Sequence, residues 1–330
     1  MVYLKKIFIF FIFFIIALII NEIIFAKIIG YPRYGVYKKI HGIRKTENEI
    51  SEIYYPHSKY WTVEGGNKVY TRNNIGLPGK DVIINDSINY IFVLGDSFVE
   101  AYQVSPLKMA TSIFDDNIDK IKKENLFEVI NLGHSGHTAY DCYLRCSFYK
   151  NKYFPYAVFL VISSVSDEDL KFNKFIKFNS NDVAVYDIKS PLVEMQRILR
   201  NKMTLINISA LYLKNINLSE QKEKFSNLQN NPNNSVYRYN ESDSNRFNLL
   251  NVLLNFKNDY DKFYAVIATY NEKDSTVIKN FCDKNGIKIY FKKDILRKEN
   301  RINHIGHLNE TGNLELGNEL TKIFLNNENE

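Results

Sequence analysis

Cysteine is scarce in this chain: three among 330 residues, Cys142, Cys146 and Cys282. They build no disulfide framework and match no zinc-ligand spacing. Cys142 and Cys146 lie four apart, on one face of an expected helix, and read as buried small hydrophobes. Basic blocks are also absent. The formal net charge is +6, but no Lys/Arg cluster of the kind that tracks phosphates stands out. Lysine, asparagine, isoleucine, tyrosine and phenylalanine are abundant throughout, so the charge is a compositional bias and no nucleic-acid partner is expected. No internal repeat is apparent.

What is present begins at the N-terminus. Residues 7–20 contain no polar residue; Asn21 and Glu22 interrupt, and Ile23 to Ala26 continue the run. The stretch reaches about 20 residues, the length that spans a bilayer. Lys5 and Lys6 precede it as they would a signal peptide, but no small-x-small cleavage site closes it, which favours an uncleaved, single-pass anchor. A helix buried in a soluble core would not be so rich in phenylalanine at the very start of a chain. Lys27, Arg33, Lys38, Lys39, Arg44 and Lys45 outnumber Lys5 and Lys6, and positive-inside logic then favours a cytoplasmic domain. That logic weakens before a long domain, and a short basic start also resembles an exporting signal-anchor. On that ground the large domain is expected outside the cytoplasm, with membrane lipid as a partner of the anchor.

The chain divides into an anchor (1–29), a membrane-proximal segment (30–80) and a large domain (81–330). From about residue 88 the pattern alternates strand and helix. Apolar runs at Tyr90–Leu94, Phe127–Leu132, Ala157–Ile162, Phe263–Ala268 and Ile287–Phe291 read as strands. Leu107–Lys123, Tyr140–Lys150 and Asp274–Asn285 read as helices between them. This alternation argues for a parallel sheet covered on both faces. The interval 169–262 is too long for one crossover and reads as an insertion. It has a helix-like stretch from Leu192 to about Phe225 and an Asn-rich loop over 226–245. Asn309 is an expected helix N-cap, with Leu316, Leu320, Ile323 and Phe324 following at helical spacing.

Three segments with chemical potential sit at strand ends or ahead of a helix. Gly95-Asp96-Ser97-Phe98 follows the first strand, where open α/β sheets bind ligands. Asn131-Leu132-Gly133-His134-Ser135-Gly136-His137 follows the second. Gly306-His307-Leu308-Asn309 precedes the last helix. A serine at the first and a histidine at the last can form a nucleophile–base pair. Asp96 is expected to shape its turn. His134 and His137 carry no assigned role.

With these blocks the chain resembles the SGNH (GDSL-type) hydrolase superfamily over roughly residues 70–325. The resemblance implies a flavodoxin-like three-layer α/β/α sandwich with a parallel sheet, preceded here by the transmembrane helix. It assigns the nucleophile to Ser97, the base to His307, and oxyanion-hole amides to Ser97 and Gly136. The family's Gly-x-Asn-Asp block falls on Ser164-Val165-Ser166-Asp167, so Ser166 stands where an oxyanion-hole asparagine is expected. Losing one such donor costs about 10²–10³ in rate. His304 stands where an aspartate is expected, three residues before His307; Asp294 and Glu299 are near in sequence, and neither can be placed. The acid that orients the imidazole must come from elsewhere or be missing.

The implied activity is ester hydrolysis or O-acyl transfer on a small-molecule or carbohydrate ester of the cell envelope, with an acetyl ester as one candidate. No cofactor and no metal are implied. A thioesterase or lipase acting on acyl chains is a variant of the same chemistry. The replaced asparagine and aspartate motivate a rival class, a non-catalytic module that binds glycans or an envelope partner.

Overall fold

Side chains alternate across the central strand in a way that sorts the core into two halves. In β5, Ile91 and Val93 join one buried cluster while Phe92 and Leu94 join the other, as a two-residue period requires. A strand buried on both faces is a hallmark of parallel sheets, and it explains the continuous apolar run here. The computed structural model describes residues 2–24, 36–41, 49–62, 64–66, 68–122, 126–163, 165, 176–178, 184–186, 249–268, 272–304 and 306–328.

In chain order the elements are α1 (Val2–Ile23), β1 (Val36–His41), β2 (Glu49–Tyr54), β3 (Lys59–Thr62), β4 (Lys68–Thr71) and β5 (Asn89–Gly95). Then follow α2 (Ser97–Glu100), α3 (Ala110–Lys122), β6 (Phe127–Asn131), α4 (Ala139–Tyr153) and β7 (Pro155–Ile162). Beyond the short strands β8 (Ile176–Phe178) and β9 (Ala184–Tyr186) come α5 (Leu249–Asp259), β10 (Phe263–Ile267), α6 (Glu272–Lys284), β11 (Lys288–Phe291) and α7 (Glu310–Glu328). The main sheet has five strands in the order β11-β10-β7-β5-β6, and every pairing in it is parallel. Taken in chain order that is 2-1-3-4-5, the flavodoxin-like arrangement, whose crevice opens where the strand order reverses beside the end of the first strand. Here that end is Gly95.

Helices cover both faces. On one, Cys142, Cys146 and Tyr149 of α4, Phe256 of α5 and Ile278 and Cys282 of α6 pack with Phe92, Leu160 and Ala265. On the other, Phe114 and Ile118 of α3 and Leu320 and Phe324 of α7 pack with Val93, Phe159 and Val266. The result is a three-layer α/β/α sandwich. All three cysteines are buried and unpaired.

The structure refines the sequence reading in three places. Leu107–Lys123 is not one helix: a 3₁₀ turn, Pro106–Lys108, is separated from α3 by Met109 in an extended conformation. Residues 249–259, inside the interval read as an insertion, form α5, and Leu249, Val252, Leu253 and Phe256 enter the core. Ahead of the sheet, β1 pairs with β2 antiparallel, and Ile53, Ile75, Leu77 and Val82 join the same core cluster. The expected helix over 192–225 and the Asn-rich loop lie outside the described residues.

By compactness the chain forms two units, one of residues 36–58, 62–188 and 240–330, the other of residues 1–35, 59–61 and 189–239. The larger holds the sandwich. In the smaller, α1 is an exposed apolar helix whose Lys5–Ile23 portion has a mean hydropathy of 2.5 and is long and apolar enough to cross a membrane.

Candidate active site

The turn after β5 is held by its own aspartate. Asp96 caps α2: its Oδ1 accepts from the Phe98 amide at 2.9 Å, and its Oδ2 accepts from the Ser163 hydroxyl just beyond β7. Burial raises the Asp96 proton affinity, while the bonds from Ser163 and Phe98 oppose that rise. Helix α2 is a single turn closed by Ala101 in the left-handed region, φ 51°. Ser97 is its first residue, so the Ser97 amide belongs to the N-terminal N–H groups that no helical carbonyl satisfies.

The loop after β6 lies against this turn. The Leu132 amide donates to Val93 O at 2.8 Å and the His134 amide to Gly95 O at 3.0 Å. The Ser135 amide donates to Glu100 Oε2 at 2.8 Å, and the Ser135 hydroxyl bonds the same oxygen. Glu100 itself is buried. Gly136 follows at φ 79°, a conformation that side-chain-bearing residues rarely adopt, and is exposed, with open space where a β-carbon would stand. Thr138 then starts α4 through a capping box with Asp141. The ring of His134 stacks on that of His137 at 4.3 Å and faces Tyr54 at 6.5 Å. Among the described residues, no group of three or more His, Cys, Asp or Glu side chains could hold a metal ion.

The third segment arrives from the far end of the chain. Asn309 caps α7 by accepting from the Gly312 amide at 3.0 Å, and its Nδ2 donates to Glu299 O at 2.7 Å. Buried Asn313 accepts from the Ala110 amide at 3.1 Å, tying α7 to α3. Gln103 Nε2 donates to Leu308 O at 3.0 Å. These bonds fix His307 between them. Its Nε2 lies 2.9 Å from Ser97 Oγ.

Its Nδ1 lies 2.5 Å from Glu64 Oε2, and its backbone amide donates to Glu64 Oε1 at 3.1 Å. An ionised carboxylate can only accept hydrogen bonds, so Nδ1 carries the proton and Nε2 is left to accept from the serine hydroxyl. The bond to Glu64, together with its charge and those of Asp96 and Glu100, raises the His307 proton affinity against the opposing effect of burial. Phe98 lies beside the imidazole, ring centres 5.5 Å apart. The side chains of His307 and Glu64 are 35% and 37% exposed, so the pair is open to solvent on one side.

The structure therefore brings Ser97 and His307 together and sets the Gly136 loop against the Ser97 turn. Ser166 lies outside the described residues, while nearby Ser163 is engaged with Asp96. The carboxylate on His307 was missed from sequence. Asp294 is exposed, and Glu299, which pairs with Arg297 at 3.2 Å, is exposed as well. Glu64 sits 243 residues away from His307 in a short turn between β3 and β4, and its only local signal is the Gly65-Gly66 pair that follows it.

No family model and no curated protein matches the chain. The solved structures to which it is similar include a psychrotrophic esterase, EstA, from Pseudoalteromonas sp., at 12% identity and a TM-score of 0.41, covering 72% of this chain and 99% of that one. They also include the acetyl xylan esterase AlAXEase, at 15% identity and a TM-score of 0.38, over 71% of this chain and 98% of that one. A lipolytic protein of the G-D-S-L family from Veillonella parvula matches at 14% identity and a TM-score of 0.36, over 72% and 98% of the two chains. At this level the likeness adds nothing to the geometry above.

Proposed function

We propose that this chain is an SGNH (GDSL-type) serine ester hydrolase or O-acyltransferase, anchored by residues 1–29 and acting on a carbohydrate ester of the cell envelope. One observation carries the chemical part of the reading. Ser97 Oγ and His307 Nε2 lie 2.9 Å apart at the carboxyl end of the first strand of a 2-1-3-4-5 sheet. The apolar N-terminal helix supports the anchored, single-pass arrangement. The carbohydrate ester and the extracytoplasmic location follow from the sequence resemblance and the signal-anchor pattern.

The chemistry proceeds in two steps. Ser97 Oγ attacks the ester carbonyl while its proton passes to His307 Nε2. The tetrahedral oxyanion takes hydrogen bonds from the amides of Ser97 and Gly136, with the Ser166 hydroxyl as a third donor. The intermediate collapses to an acyl-serine, and the alcohol leaves with the proton held by His307. His307 then deprotonates water, or an acceptor hydroxyl, which attacks the acyl-serine; the acyl–Oγ bond breaks, His307 returns the proton to Ser97 Oγ, and the acid or the transferred ester is released. Asp96 holds the turn and takes no proton.

The test uses the full chain in detergent micelles with p-nitrophenyl acetate. Wild-type turnover is expected to exceed that of Ser97→Ala by about 10³-fold or more. Equal rates for the two proteins would leave the binding-module reading in its place. Competition between water and added sugar hydroxyls for the acyl group separates hydrolase from transferase.

A further inference from the structure

We infer that Glu64, carried by a turn that precedes the sheet in sequence, is the positioning residue that orients His307. On this view the N-terminal segment of the sandwich unit belongs to the catalytic apparatus. The inference rests on the Ser97–His307 reading above and deepens it.

Three features single out Glu64. First, its carboxylate grips one residue at two points, Nδ1 at 2.5 Å and the backbone amide at 3.1 Å, so it sets ring orientation as well as tautomer. Second, the approach is too close for a side chain at 306. A β-carbon there would fall 2.4 Å from Glu64 Oε1 and 3.0 Å from Ile302 O. Third, the Glu64 turn and the His307 loop share an anchor. Gly65, at φ 85°, packs so tightly that a β-carbon would lie 2.2 Å from the carbonyl oxygen of Gln103, and the side chain of Gln103 donates to Leu308 O at 3.0 Å. The Thr62 hydroxyl donates to the Glu64 carbonyl at 2.7 Å and steadies the turn from within.

The carboxyl groups that raise the proton affinity of the imidazole are Glu64 from this turn, Asp96 from the strand end and Glu100 from α2. Asp96 and Glu100 already accept from Ser163 and Phe98, and from Ser135. Glu64 is the one bonded to the imidazole itself.

The experiment measures kcat, KM and their pH dependence with p-nitrophenyl acetate for the full chain in micelles, and the rate at which a fluorophosphonate labels Ser97. Glu64→Gln is expected to lower kcat/KM by about 10²–10⁴-fold, mostly in kcat, and to move the acid limb of the profile to lower pH. Added formate should restore part of the activity of Glu64→Ala but none of that of Glu64→Gln. Asp294→Asn, at an exposed carboxylate away from the imidazole, should match the wild type throughout.

A folded Glu64→Gln protein with wild-type kcat/KM and an unmoved acid limb would overturn the inference, as would a folded Glu64→Ala protein that formate does not rescue. If Glu64→Gln lowers the thermal midpoint, Glu64→Asp decides: recovery of the acid limb supports a positioning carboxylate, and loss equal to that of the amide argues against it. Failure of the underlying reading shows separately. Ser97→Ala would then react as fast as wild type, whereas a Ser97-dependent rate indifferent to Glu64 removes only the present inference.

Discussion

Gly306 faces Glu64 so closely that the bare Cα is part of the site: a β-carbon at 306 would stand 2.4 Å from the Glu64 Oε1 oxygen. Gly306→Ala must therefore push the carboxylate or the loop aside. The expected outcome is a fall in kcat/KM on the order of 10²-fold, since a displacement of about 1 Å suffices for that. Steady-state kinetics beside a thermal melt check it, the melt separating a local displacement from a loss of fold.

The pH profile follows from the direction of the His307 shift. As the proposed base, His307 works only as neutral imidazole, and Glu64 raises its pKa above the usual 6.5. In kcat/KM the rate should therefore rise with pH through a single step above the ordinary histidine value and level off once His307 has lost its proton. A profile already flat at pH 6 would contradict this.

Gly136 offers a different lever. Its surroundings are open, with nothing within 4 Å of the place a β-carbon would take, yet its φ is 79°. Gly136→Ala meets no steric wall, but the left-handed backbone costs about 1–2 kcal/mol. In the proposed mechanism, relief of that strain turns the amide away from the oxyanion. The expected result is a drop in kcat of about 10-fold or more with KM nearly unchanged, read from full saturation curves.

Stability rests heavily on the face covered by α3 and α7. Phe324 is fully buried and makes edge contacts with Phe127 at 5.3 Å, Phe114 at 6.0 Å and Tyr156 at 6.4 Å. Phe324→Ala leaves a cavity among rigid rings and should cost about 3–5 kcal/mol, measured by denaturant unfolding.

Glu128, on β6, gives a pH dependence of stability with a defined sign. Burial, reinforced by Asp115, pushes its carboxyl from 4.5 up to about 7. A raised carboxyl pKa means that the folded state holds its proton longer than the unfolded chain. That contribution is fully present below about pH 4 and is lost as pH rises towards about 7. Glu128→Gln should flatten this part of the midpoint-versus-pH curve and leave the variant more stable than wild type at pH 8.

Much of the sandwich was legible because its physics is local. Strand β5 reads as a buried strand from Tyr90-Ile91-Phe92-Val93-Leu94 alone, and α7 from Leu316, Leu320, Ile323 and Phe324 at helical spacing. Helix α5 carried the same kind of signal in Leu249, Val252, Leu253 and Phe256, but the long polar interval before it hid the boundary. The strands β1 and β2 were harder, since lysines and glutamates break their alternation.

Residue types and their order determined by themselves the alternating strands and helices, the apolar N-terminal helix, and the serine and histidine that belong near strand ends. Those follow from periodicity and from short turns, which act over a few residues. Only the tertiary structure decided which acid meets His307. Asp294 and Glu299 are nearer in sequence, yet both stay exposed, and Glu64 makes the contact from 243 residues away. Hydrogen bonding at 2.5 Å is set by how turns pack against each other, here through Gly65, Gln103 and Gly306. No pattern along the chain encodes that distance.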